Sequence, residues 1–257
     1  MSNHRLFLIC MVIAIMMIMA CFSGCTSSQT EQKKVIVYAG AGLKKPLDTI
    51  AQMYQNEKGV NVTINYGGSG ALYTQIEQGQ PADLFFSADW KFIDMLNNAS
   101  KVAESKKFLK EYVVLVTSKT GEQKGIVSAQ NIINDNVVVV VCDPSAPIGS
   151  YSENVLKKLD LWNQTNQKGN IKARPATVNQ AALMIQNDEA DAGFIFSSTA
   201  NLYGLAIREK YPQTLSGDIT FGLAVLKGQN EAVAKDFMDY IVAHQSEFTQ
   251  YGWDPYA

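Results

Sequence analysis

Four short stretches place glycine, serine and asparagine where a strand-like run gives way to a helix-like one: GAGL (40–43), GGSG (67–70), DPSAPIGSY (143–151) and TVNQ (177–180). The first N–H groups of a helix have no internal partner and sit at the positive end of its macrodipole. Such a turn therefore attracts an anion without any cationic side chain, and glycine lets the backbone come close. Any one of these loops could equally serve turn geometry and capping, for which the same residue types are routine. Four of them, two in each half of the chain, suit a small, fully ionised oxyanion gripped by neutral donors from both sides of a cleft.

Other chemistries fit less well. A P-loop needs a lysine after its glycines, and none follows GGSG. A serine-hydrolase elbow needs Gly-x-Ser-x-Gly, but Ala71 stands where the last glycine belongs. The chain has two histidines: His4 lies in an apolar leader, and His244 lies late in an amphipathic stretch. A hydrolase pairing Ser69 with His244 is thus the alternative reading from another class. No His/Cys cluster offers zinc or iron ligands. Asp83, Asp89, Asp143, Asp188 and Asp191 are scattered, and capping or lysine pairing is expected of Asp83 and Asp89. Trp90, Phe92, Trp162 and Trp253 read as packing residues. No catalytic residue, protein-bound metal or cofactor is expected.

The elements that must position these loops follow from periodicity. The 257 residues are 47% apolar with a net charge of −2, which excludes disordered and fibrous classes and gives no basic footprint for nucleic acid. The N-terminus MSNHR is followed by LFLICMVIAIMMIMACFSGC, a secretion signal over 1–24. Ser23-Gly24-Cys25 is similar to a lipoprotein processing site, which makes Cys25 an acylated first residue and 25–34 a flexible tether. An uncleaved anchor is the alternative, because Phe22 stands where leucine is usual. Of the four cysteines only Cys142 is left, a core thiol without an intramolecular partner.

From Val35 onward short β-rich runs alternate with amphipathic stretches, the pattern of a mostly parallel sheet covered by helices. Strands are expected at 35–39, 60–66, 83–88, 111–118, 137–142, 171–174, 192–196 and 219–226. Helices are expected at 43–55, 71–78, 90–96, 150–161, 179–187 and 231–244. The rhythm restarts after residue 118, so two α/β lobes are expected, 35–115 with 222–257 and 116–221. Strands near 111–118 and 219–226 would cross between them, leaving a cleft at the strands' carboxyl ends.

The blocks YAGAGLKKPL, YGGSGALYTQIEQGQPADLFFSAD, DPSAPIGSY, NQAALMIQNDEADAGFIFSS and TFGLAVLKG occur in the order seen in periplasmic molybdate-binding proteins of ABC transporters, and the resemblance spans about Val35 to Trp253. It implies a two-lobed class II solute-binding protein, monomeric and tethered to the membrane by its lipid, that closes on molybdate or tungstate and delivers it to a permease. Carried over by position, the resemblance makes Ser69 a hydroxyl ligand and puts backbone donors near Ile148 and Val178. Ala41, Gly42 and Gly70 are expected to add N–H groups. Two positions depart from the pattern: Gly42 replaces a serine, and Phe196 in GFIF replaces a tyrosine. Hydroxyls of Ser150, Tyr151, Ser197 or Ser198 could compensate, and another small oxyanion or an organic acid remains a possible ligand.

Overall fold

A computed structural model describes residues 33–256. The secretion signal, Cys25 and the tether up to residue 32 lie outside the described residues. The tether's expected end is shortened, because Lys34 already opens the first strand.

Two sheets organise the chain. The first has the order β11-β4-β10-β3-β1-β2, built from β1 (Lys34–Gly40), β2 (Asn61–Gly67), β3 (Leu84–Ser87), β4 (Val102–Lys110), β10 (Thr220–Leu226) and β11 (Asp254–Pro255). The second has the order β7-β6-β8-β5-β9, from β5 (Val113–Thr117), β6 (Val139–Val140), β7 (Ile171–Ala173), β8 (Ala192–Phe196) and β9 (Ala206–Lys210). Each sheet is mixed. Three parallel strands, β2-β1-β3 and β7-β6-β8, carry the site loops. Strands entering from the other lobe, β10 and β5, add antiparallel to β3 and β8. These crossings reverse the chain direction, so the sheets are less parallel than the sequence rhythm suggests.

The lobe boundaries also move. β5 pairs along its whole length in the second sheet and β10 in the first, so neither strand crosses between lobes and the expected breaks at 115/116 and 221/222 are corrected. The chain passes over at Glu111–Tyr112 and again just before Thr220, where the Glu111 N–H donates to the Ile219 carbonyl at 3.1 Å. Two adjacent crossings, linked by that hydrogen bond, connect the lobes.

The helices cover the sheets with the faces their spacing predicts. α1 (Lys44–Lys58) buries Leu47, Ile50, Ala51 and Tyr54, and ends at Gly59 with φ 67°, the left-handed stop that glycine adopts at no cost. α2 (Ser69–Glu77) and α3 (Trp90–Asn98) follow β2 and β3. α4 (Pro147–Lys158) and α5 (Val178–Gln186) cover the second sheet with α6 (Ser197–Tyr203), and α7 (Glu231–Ala243) returns to α1. There Tyr54 donates to Asp236 at 2.7 Å and Tyr240 to Glu57 at 2.7 Å. Three helices begin earlier than expected: α2 at Ser69 rather than Ala71, α4 at Pro147 rather than Ser150, and α5 at Val178. This shift places the candidate donors in first turns.

Candidate functional site

A small cavity opens where the four loops meet. Gly40, Ala41, Gly42, Gly67, Gly68, Ser69 and Ala88 line it from one lobe, and Ala146, Pro147, Ile148, Thr177, Val178 and Phe196 from the other, with Phe221 beside Phe196. Its volume is about 20 Å³, counted as the room open to the centre of a water-sized sphere, equivalent to a ball of roughly 1.7 Å radius. Four oxygens set one bond length from a central atom need about that much. No lining residue carries a charge.

The donors are placed by local rules. Gly68 is the extended N-cap of α2, so Ser69 is its first helical residue. Ser69 is fully buried. Its Oγ accepts the Ala88 N–H at 3.0 Å, which fixes the side chain and leaves the hydroxyl proton to donate elsewhere. In α4, Pro147 takes the first position, where a missing N–H costs nothing, and Ile148 offers the next N–H. In α5 the Thr177 side chain caps Gln180 at 3.3 Å, while Cys142 Sγ donates to the Thr177 carbonyl at 3.4 Å and holds that turn. Burial pushes the Cys142 thiol up to about 12, so it stays a neutral core group. Among the described residues no loop carbonyl takes the N–H of Gly42, Ser69, Ile148 or Val178.

The structure thus gathers Ala41, Gly42, Ser69, Ile148, Val178 and Phe196 around one cavity and sets Gly70 apart. The Gly70 N–H donates across the cleft to the Ser145 carbonyl at 3.0 Å, so it ties the lobes together and has no donor left for a ligand. A second tie runs from Asn179 Nδ2 to the Ala41 carbonyl at 2.7 Å. Neither tie was legible locally, because each acceptor belongs to the opposite lobe. Phe196 supplies a wall, its ring edge-on to Phe221 with centroids 5.3 Å apart. A groove of about 350 Å³ adjoins the cavity at Gly42 and carries Lys44 and Lys45.

Most of the hydroxyls that could have replaced those missing at positions 42 and 196 are engaged. Ser150 Oγ donates to the Pro144 carbonyl at 2.8 Å and Tyr151 to the Asp218 carbonyl at 3.3 Å. Burial and the neighbouring Asp89 carboxylate raise the Tyr151 pKa, so its proton stays on. Ser197 Oγ donates to the Glu111 carboxylate, and Ser198 lies beside the same group. Asp89 caps α3 through the Lys91 N–H at 2.9 Å, and Asp83 accepts the Ile36 N–H at 2.8 Å. His244 does not serve Ser69: its Nδ1 faces the Tyr240 carbonyl at 2.8 Å and its ring lies against that tyrosine.

The chain is similar to known proteins. The molybdate-binding protein ModA of Escherichia coli is 30% identical over 242 residues, covering 90% of this chain and 93% of its own. The molybdate-binding protein ModA of Haemophilus influenzae is 27% identical over 216 residues, 81% and 84% of the two chains. Among solved structures, the periplasmic molybdate-binding protein of Azotobacter vinelandii superposes with a TM-score of 0.74 at 22% identity, over 85% of this chain and 98% of that one. The sulfate-binding protein SubI of Mycobacterium tuberculosis gives 0.69 at 17%, over 87% of each. At those identities the structural likenesses speak for the fold alone. The model of the bacterial extracellular solute-binding protein family matches residues 35–254, from the first strand to the last. With two α/β lobes joined by a double crossing and a small cavity in the cleft between them, the chain belongs to the bacterial extracellular solute-binding proteins.

Proposed function

We propose that the chain captures molybdate or tungstate outside the cytoplasm and hands it to an ABC permease, working as a lipid-anchored monomer through Cys25 and not as a catalyst. The observation that carries this reading is the cavity itself: it is small, it lies where the first turns of α2, α4 and α5 meet, and residues of both lobes line it with no charged side chain. In the proposed site the Ser69 hydroxyl and the N–H groups of Ala41, Gly42, Ile148 and Val178 share the anion, and Phe196 closes one wall. The lobes 33–110 with 220–256 and 113–217 would close on it about the Glu111–Ile219 hinge. The relatives named for molybdate support the ligand class. The sulfate-binding fold neighbour shows that fold alone does not select the anion.

Selectivity follows from a donor-only lining. Molybdate, tungstate and sulfate carry no proton at neutral pH. Phosphate keeps one, and would turn it toward donors instead of an acceptor, losing about 1–3 kcal/mol for the unmade buried hydrogen bond. Sulfate is smaller, so its oxygens fall short of donors set for a larger ion. Calorimetric titration of the purified protein with the four anions is expected to give heat with molybdate and tungstate at micromolar or tighter affinity, at least about −8 kcal/mol, and none with phosphate. Ser69→Ala is expected to weaken molybdate binding about ten- to a hundredfold, the worth of one hydrogen bond to a charged group. Absence of heat with both heavy oxyanions would overturn the reading.

A further inference from the structure

Thr199 is the hydroxyl that the structure leaves without a role. It sits in α6 of the second lobe with no solvent exposure, and its Oγ1 has no hydrogen-bond partner among the described residues. A buried hydroxyl with an unmade bond costs roughly 1–3 kcal/mol, and in native structures it usually marks a water, an ion or a functional demand. Its position supplies the demand. A Cβ placed at Gly42 would lie 3.6 Å from Thr199 Oγ1 and 3.2 Å from Val178 Cγ1. The hydroxyl therefore lies, on the opposite lobe, against the space a side chain would fill at Gly42, which is a lining residue of the cavity; Thr199 itself stands just behind that lining. Ser198 Oγ is also unpaired, but it lies beside the Glu111 carboxylate, an acceptor within its own surroundings. Thr199 has no such neighbour.

We propose that Thr199 is an affinity-determining residue, holding its hydroxyl in the gap at Gly42 to donate toward the bound oxyanion. This rests on the oxyanion reading of the cavity. The first loop, GAGL, contributes backbone N–H groups only, so a hydroxyl that serves it must come from across the cleft. That hydroxyl is in reach only when the lobes are together, which makes it a donor that favours the closed form over the open one.

Thr199→Val removes the hydroxyl at nearly constant shape. Calorimetry with molybdate is expected to show affinity weakened about tenfold or more. The melting temperature of the unliganded variant should stay level or rise, because an unpaired buried group has been removed. Thr199→Ser is expected to retain parental affinity, and Gly42→Ser added to Thr199→Val to recover part of the loss by returning a hydroxyl from the first loop. Parental affinity in Thr199→Val would overturn this inference alone. So would a fall in unliganded melting temperature matching the loss of affinity, the mark of a merely structural hydroxyl. A parent protein that binds none of the four anions would overturn both this inference and the reading beneath it.

Discussion

Replacing Gly70 by alanine is expected to abolish tight oxyanion binding while leaving the unliganded protein folded. A Cβ at this position would lie 2.4 Å from the Ser145 carbonyl oxygen and 3.0 Å from the Phe92 ring. The ring can turn. The carbonyl cannot step aside, because its loop is pinned by the Ser145 N–H on Asp143 Oδ1 at 2.8 Å and the Ala146 N–H on the Asp143 carbonyl at 3.0 Å. The obstruction lies between lobes, so opening the cleft relieves it. Within its own helix alanine is favoured over glycine by about 1 kcal/mol. The expected result is a loss of molybdate affinity of about a hundredfold or more, with the melting temperature of the free protein nearly unchanged. The rise in melting temperature that saturating ligand gives the parent should be absent. Parental affinity in Gly70→Ala would mean that the contact of GGSG with the DPSA loop is no part of the bound form.

Stability is expected to fall as pH rises from about 4.5 to about 7, and Glu111→Gln is expected to remove most of that fall. Glu111 sits at the first crossing without solvent exposure. Its Oε1 accepts the Tyr112 N–H at 2.8 Å and the Ser197 hydroxyl, and its Oε2 accepts the Ser198 N–H at 3.3 Å. Burial pushes its carboxyl from an ordinary 4.5 up to about 7, against the opposing effect of those hydrogen bonds. Below 4.5 folded and unfolded chains both hold the proton. Between 4.5 and 7 the unfolded chain releases it and the folded chain keeps it, so stability declines across the window, by something on the order of 3 kcal/mol in all. For a domain of this size that is roughly a 6–12 °C fall in melting temperature. Asp143, Glu153 and Asp188 have lowered values; their contribution is lost as pH falls, at the acid side of the window. Melting temperatures of parent and Glu111→Gln from pH 4.5 to 8 check this, and parallel curves would contradict it.

How much of this was legible in the sequence depended on where each partner lay. Apolar strands such as VIVYA and AGFIF, and the buried face of α1, were readable because burial repeats locally. β4 and β9 were not, because VAESKKFLK and AIREK carry charged residues at outer positions of their sheets. VVVVVC is buried except for the half-buried Val138, yet only Val139–Val140 pairs as strand, since the register with β7 slips there. The crossings were misplaced because EYVVLVTS and ITFGLAVL are continuous apolar runs with no mark of where the chain leaves one sheet. In the site, Ser69, Ile148 and Val178 were expected from the family resemblance and not from periodicity, which started their helices later, at residues 71, 150 and 179, because a capping turn carries no apolar repeat. Gly70 was given the wrong partner, and Asn179 and Thr199 had no role, because their neighbours are Ser145, Ala41 and Gly42 in the facing lobe.

The most direct test is a crystal structure of the protein grown with molybdate, with the molybdenum located by its anomalous scattering. The two-sided clamp predicts a single strong peak in the cleft, its oxygens within about 3.2 Å of Ser69 Oγ and the N–H groups of Ala41 or Gly42, Ile148 and Val178, with no lysine or arginine in contact. A peak elsewhere, or an anion held by Lys44 or Lys45 at the neighbouring groove, would contradict it.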